Sequence, residues 1–264
     1  MSSPIPVSQL NVNDVSFNFF KSPDNKKRVY INKNKNCKES ISFQLCETNR
    51  SKMLRAPFGV SEPMQGAADS SRLSIEVAVD CPEIANKLKE LNDRCIQYAH
   101  AESVKCFGKQ LELSTIRDRF VSPYREVDVE GRSNLLRLKI SDSTDVYNMS
   151  SFDDSGMKLK RSNKSCIQRG STMVPSVDLS SLWFVSGDKQ FGYSLHMKSV
   201  IVNNEFATGG NRPQNTGVQS FIVEDGFTIT VDEPSPSKKR SAEEAGLEID
   251  GILEDASIDP QAYL

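Results

Sequence analysis

The sequence predicts a mainly β fold with one long helix, and three observations carry that prediction. Short alternating or β-branched apolar runs recur along residues 15–231, Gly, Pro, Asn or Asp separates many of them, and only residues 82–104 carry apolar residues at helical spacing. With 37% hydrophobic and 26% charged residues among 264, the chain has the material for a sizeable core, which excludes a polymer disordered throughout.

Strands are expected at 15–20, 28–32, 40–46, 72–79, 135–140, 182–186, 191–202, 219–223 and 227–231. Hairpin turns are expected at Ser186-Gly187-Asp188-Lys189 and Glu224-Asp225-Gly226, where residues tolerant of positive φ separate apolar runs. Pro82 suits a first helical turn, and Ile84, Leu88, Leu91, Cys95 and Tyr98 or Ala99 form a stripe to pack on the sheet. A short second helix is expected after Ser114, ending before Pro123. Residues 141–174 are polar and irregular, and read as a long basic loop or a hairpin with a mobile tip.

The motifs of common enzyme classes are missing from the sequence. His100 and His196 are the only histidines, and Cys37, Cys46, Cys81, Cys95, Cys106 and Cys166 contain no Cys-x-x-Cys pair, so neither a metal nor a thiol redox centre is expected. No Walker loop, dinucleotide fingerprint or nucleophile elbow occurs, and no cofactor is expected. No run reaches the ~18 apolar residues of a membrane span, and Met1–Pro6 does not start a secretory signal, so an intracellular protein with no membrane partner is expected.

Charge is uneven. Residues 1–240 hold 33 basic and 28 acidic residues, a net +5, whereas 241–264 hold seven acids and no Lys or Arg. The expected organisation is a binding domain over 1–232, a Pro/Ser/basic linker over 233–240 and a disordered acidic tail over 241–264. Lys238-Lys239-Arg240 reads equally as linker or short import signal. Leu253, Ile258, Tyr263 and Leu264 are the tail's candidate partner anchors.

Basic residues recur beside aromatics: Lys52, Arg55 and Phe58; Phe107 and Lys109; Lys189, Phe191, Tyr193 and Lys198 beyond Trp183. Lys158, Lys160, Arg161 and Lys164 add charge in the irregular stretch. Such a set suits a single nucleic-acid strand, with cations along the phosphates and rings stacked on unpaired bases. Strand aromatics are more often core, so pattern alone does not sort these rings.

Arg55-Ala-Pro-Phe-Gly-Val60, the long helix, Phe107-Gly108-Lys109, Leu182-Trp-Phe-Val185, Phe191-Gly-Tyr-Ser194, a valine-rich strand and an acidic tail follow in that order. Over residues 10–232 this resembles the phage-type single-stranded DNA-binding proteins of large nucleocytoplasmic DNA viruses. The resemblance implies an OB-fold-like β-barrel with insertions, non-catalytic binding of single-stranded DNA in replication, recombination or repair, and a tail that recruits polymerase or helicase and competes with DNA. It leaves room for a homodimer, and implies a place in the host nucleus or a viral replication compartment. The chain departs from the family pattern at Cys106 and Leu195, where aromatics often stand, and in ending on Tyr263-Leu264. Two other readings compete: a capsid-type β protein of the virion, and a hydrolase using Asp142, Asp145, Asp153 and Asp154.

Overall fold

Pro82 opens the expected helix, and the computed structural model describes it together with residues 4–21, 27–34, 39–61, 73–153, 156–185, 190–205, 207 and 229–231. In chain order the elements are β1 (Ile5–Pro6), β2 (Ser16–Lys21), β3 (Lys27–Asn32), β4 (Ile41–Gln44), β5 (Leu54–Arg55), β6 (Val60–Ser61) and β7 (Ser74–Val79). Three helices follow, α1 (Pro82–Ala101), α2 (Ser103–Phe107) and α3 (Leu113–Arg119). Then come β8 (Phe120–Val121), β9 (Tyr124–Arg125), β10 (Asn134–Lys139), β11 (Asp145–Asp153), β12 (Gly156–Ser162), β13 (Thr172–Phe184), β14 (Phe191–Asn203) and β15 (Ile229–Val231).

Two 13-residue strands organise the sheet, because each is long enough to change partners along its length. On one edge β13 pairs in turn with β5, β4 and β3, while its other edge pairs antiparallel with β14. On its far edge β14 pairs in turn with β8, β10 and β11. The result is a mostly β body with few helices, and this pairing is consistent with a barrel-like sheet.

The inner face packs on α1. Ile84, Leu88, Leu91, Cys95 and Ala99 meet Val77, Leu136, Val177, Leu179, Tyr193 and Leu195 in one buried cluster. Phe17 of β2 stacks on Tyr98 of α1 at 4.4 Å between centroids, joining the first hairpin to the helix. Asn92 adds a polar tie, accepting from the Tyr193 hydroxyl at 2.9 Å and from Ser122 Oγ at 3.2 Å. The helix stops short of the expected Val104: Glu102 interrupts it, and α2 runs on to Gly108, whose φ of 78° closes it in the left-handed region.

Residues 141–174 form the hairpin alternative. β11 and β12 pair from Val146↔Ser162 to Asp153↔Gly156, and the beginning of β13 lies at the end of this stretch. Tyr147, Met157 and Leu159 pack with Val174 and Ile201 in a second, smaller buried cluster on the sheet's other face. The expected turns at 186–189 and 224–226, the strand at 219–223, the linker and the tail lie outside the described residues.

Candidate nucleic-acid interface

Cross-strand partners share a face, so the sheet register shows what the outer face presents. One row crosses five strands: Ser42, Asp178, His196, Lys139 and Ser74. Lys198 Nζ lies 3.6 Å from Asp178 Oδ2, and Ser42 Oγ donates to Oδ1 of the same carboxylate. Partial burial and the neighbouring Lys139 lower the His196 pKa, against an opposing pull from Asp178. The Lys139 pKa is lowered by partial burial and by Arg137. Lys139, Arg137 and Leu135 then alternate along β10 on this same face, with Arg137 exposed and its Nε donating to Ser74 Oγ at 3.2 Å.

That path ends in a cleft of about 680 Å³ lined by Arg55, Pro57, Phe58, Arg125, Arg132 and Leu135. Two acids also line it, but Glu126 is ion-paired with Lys89 at 2.5 Å, which leaves Asp128 against three guanidinium groups. Phe58 is 60% exposed, the highest value among the large hydrophobic residues of the described chain.

The exposure of Phe58 is built in. Buried Ala56 donates its N–H to Ser171 O at 2.7 Å and accepts from Gly170 N at 2.8 Å, pinning the segment on both sides. Gly59 adopts φ +72°, and a Cβ there would sit 3.0 Å from Arg169 N, so a glycine is required at this close approach. Pro57 and Phe58 are thereby held on the outside of a fixed bend.

Three of the expected stacking rings do not reach this surface. Phe107, Phe191 and Tyr193 are buried at 4%, 0% and 2% exposure, which corrects their assignment to base stacking. For the two strand rings the cause is parity, since Phe191, Tyr193 and Leu195 take the face that meets the helices while Gly192 and His196 take the other; Phe107 ends α2 and packs on that same inner face. Phe191 sits among Phe107 at 5.4 Å, Phe120 at 5.3 Å and Phe184 at 5.8 Å. Burial raises the Tyr193 hydroxyl pKa well above its usual value, in keeping with its role as donor to Asn92.

The expected cations are dispersed. Arg55 lines the cleft and Lys198 pairs with Asp178 of the outer-face row, whereas Lys52 pairs with Glu47 in a neighbouring groove that Arg55 also lines. Lys109 is exposed just past α2. Lys158 and Lys160 alternate with buried Met157 and Leu159, which turns them away from the smaller core, and Arg161 and Lys164 are ion-paired with Asp145 and Asp142. Lys189 and the four tail anchors lie outside the described residues. The ion pairing of Asp142 and Asp145 also commits two of the four carboxylates of the hydrolase reading to neighbouring cations.

Sequence reasoning missed Arg125 and Arg132 in the cleft and Arg137 and Lys139 on the path to it, which come together only because β10 pairs with both β7 and β9. It also missed Phe20 and Tyr30, exposed at 49% and 40%. A signal for Phe20 exists in β2: with Phe17 and Phe19 packed on the core, parity sends Asn18 and Phe20 outward.

No family model matches the chain, and no curated protein matches it. Among solved structures it is similar to gp2.5, a single-stranded DNA-binding protein encoded by bacteriophage T7. The identity is 14%, 66% of this chain and 91% of that one are covered, and the TM-score is 0.40. It is also similar to the single-stranded DNA-binding protein of bacteriophage Enc34, solved with single-stranded DNA, at 11% identity, 75% and 98% coverage and a TM-score of 0.34. Among the described residues no helix is long and apolar enough to cross a membrane, and no group of three or more His, Cys, Asp or Glu could hold a metal ion.

Proposed function

We propose that this chain is a non-catalytic single-stranded DNA-binding protein built on an OB-like barrel and acting in viral DNA replication, recombination or repair. The observation that carries the reading is Phe58, a ring held rigidly in solvent at the mouth of an arginine-lined cleft. A cation-lined cleft alone would suit any polyanion. An exposed ring between guanidinium groups adds a preference for unpaired bases, whose flat faces it can cover, whereas duplex bases are already stacked. Lys139 and Arg137 continue the positive surface along the sheet, giving the phosphates a path toward the cleft.

The acidic tail completes the reading as a competitor for this surface and a handle for replication proteins such as a polymerase or helicase. Phe58→Ala should weaken binding of a labelled single strand about tenfold, the lower part of the range for one base stack, without moving the Tm by more than a few degrees. The same titration on a chain ending at residue 240 should show tighter binding at low salt. Unchanged affinity for Phe58→Ala would remove the cleft from the binding surface.

A further inference from the structure

At the end of the sheet where β3 meets the last residues of β13, a second aromatic surface faces outward. The register forms a row of Phe20, Arg28, Trp183 and Gly192 across four strands, with Tyr30 and Ser181 in the row beside it. Phe20 and Tyr30 lie 6.1 Å apart at 54°, and their exposed faces are not closed off by each other. A Cβ at position 192 would run into the Val121 carbonyl of β8 first and would lie 2.9 Å from Trp183 Cζ2, so a glycine there admits both the β8 backbone and the edge of the indole. Scattered exposed hydrophobes are ordinary on a protein surface, but this group is contiguous and interleaved with a cation. Of the cations on its two outer strands only Arg28 shares this face, because parity turns Lys21 and Lys27 to the other side, where Lys27 Nζ donates to Cys106 O at 3.0 Å.

We propose that Phe20, Tyr30 and Trp183, with Arg28, form a second base-stacking site for the same single strand, a proposal that rests on the single-strand reading above. The partner of Tyr30 on β13 is Ser181 and that of Arg55 is Thr172, nine residues away, which separates the two sites by about 30 Å at ~3.3 Å per strand residue. Arg55 and Tyr30 share the outer face, because Thr172, Val174, Asp178 and Ser181 lie on the side of β13 opposite Met173, Val177, Leu179 and Leu182. A strand held at both ends would cross the row containing Asp178, His196 and Lys139 and be held from above the whole sheet.

Trp183 is the only tryptophan in the chain, so its emission reports on this corner directly. The test titrates wild type, Phe58→Ala and the double variant Phe20→Ala/Tyr30→Ala with an unlabelled oligothymidylate of about 20 residues, longer than the 4–16 nucleotides typical of one OB fold. Tryptophan emission is followed, and binding is measured in parallel by anisotropy of a labelled strand. The expected result is quenching of Trp183 in wild type and in saturated Phe58→Ala, and an affinity loss of ~10- to 100-fold in the double variant with little change in Tm. Wild-type binding without a Trp183 response, together with unaltered affinity of the double variant, would overturn the second site while leaving the single-strand reading intact. Failure of wild type to bind at all would instead sink that reading. A double variant that changes oligomeric state but not affinity would assign the corner to a second copy of the chain and overturn the proposal.

Discussion

Phe191→Ala is expected to lower the free energy of unfolding by about 3–5 kcal/mol, the usual range for deleting a buried aromatic ring. The ring is fully buried and touches the rings of Phe107, Phe120 and Phe184, so its loss leaves a cavity bounded by α2, β8, β13 and β14 at once. Such walls relax poorly, since each neighbour is fixed by its own strand or helix. Urea denaturation measures the loss. Protein that remains folded at low temperature should bind single strands with wild-type affinity, because no part of this ring reaches the outer face. A weak effect on stability with a strong effect on affinity would return Phe191 to the interface.

Reversing the cleft's charge should have the largest effect on binding. With Arg55, Arg125 and Arg132 all changed to Glu, three attractions are lost and three repulsions appear, and at ~1 kcal/mol for each exposed site affinity should fall more than about 100-fold near physiological salt. The salt dependence should flatten as well, by about two in the log–log slope, since each phosphate contact contributes ~0.7 for single strands. Stability should change little. All three side chains are exposed, and the 3.9 Å approach of Arg125 to Glu76 is too long and too solvated to contribute much. Anisotropy titrations at several salt concentrations, with the Tm as a fold control, measure both quantities. A triple variant with wild-type affinity and slope would mean that the strand does not enter this cleft.

Much of the fold was legible because its local signals agree. The stripe from Ile84 to Ala99 is helical and buries one face, and β2, β3, β7, β10 and β14 each fall within or close to an expected run. The first half of β13 was not legible, because Pro175, Ser176 and Asp178 interrupt its apolar pattern. The sheet accepts them through a register shift after Ser176 and through Asp178, whose carboxylate meets Ser42 and Lys198. Of the site, Arg55 and Phe58 were legible from their adjacency. Phe191 and Tyr193 were misassigned because an aromatic-Gly-aromatic strand looks the same from either face until its neighbours fix the parity, and Phe107 because the end of a short helix carries no periodicity that shows which way its ring turns. Arg125, Arg132 and Lys139 carry no local signal, since their role comes from strand order.

An outer face that holds unpaired nucleic acid must tell a single strand from a duplex. In a competition titration, wild-type protein bound to a labelled single strand is challenged with the unlabelled strand and with the corresponding duplex. Displacement by the single strand is expected at concentrations at least about tenfold below those needed for the duplex, because the exposed rings require bases free to stack. Equal displacement by both would contradict it, leaving a surface that recognises phosphate charge alone.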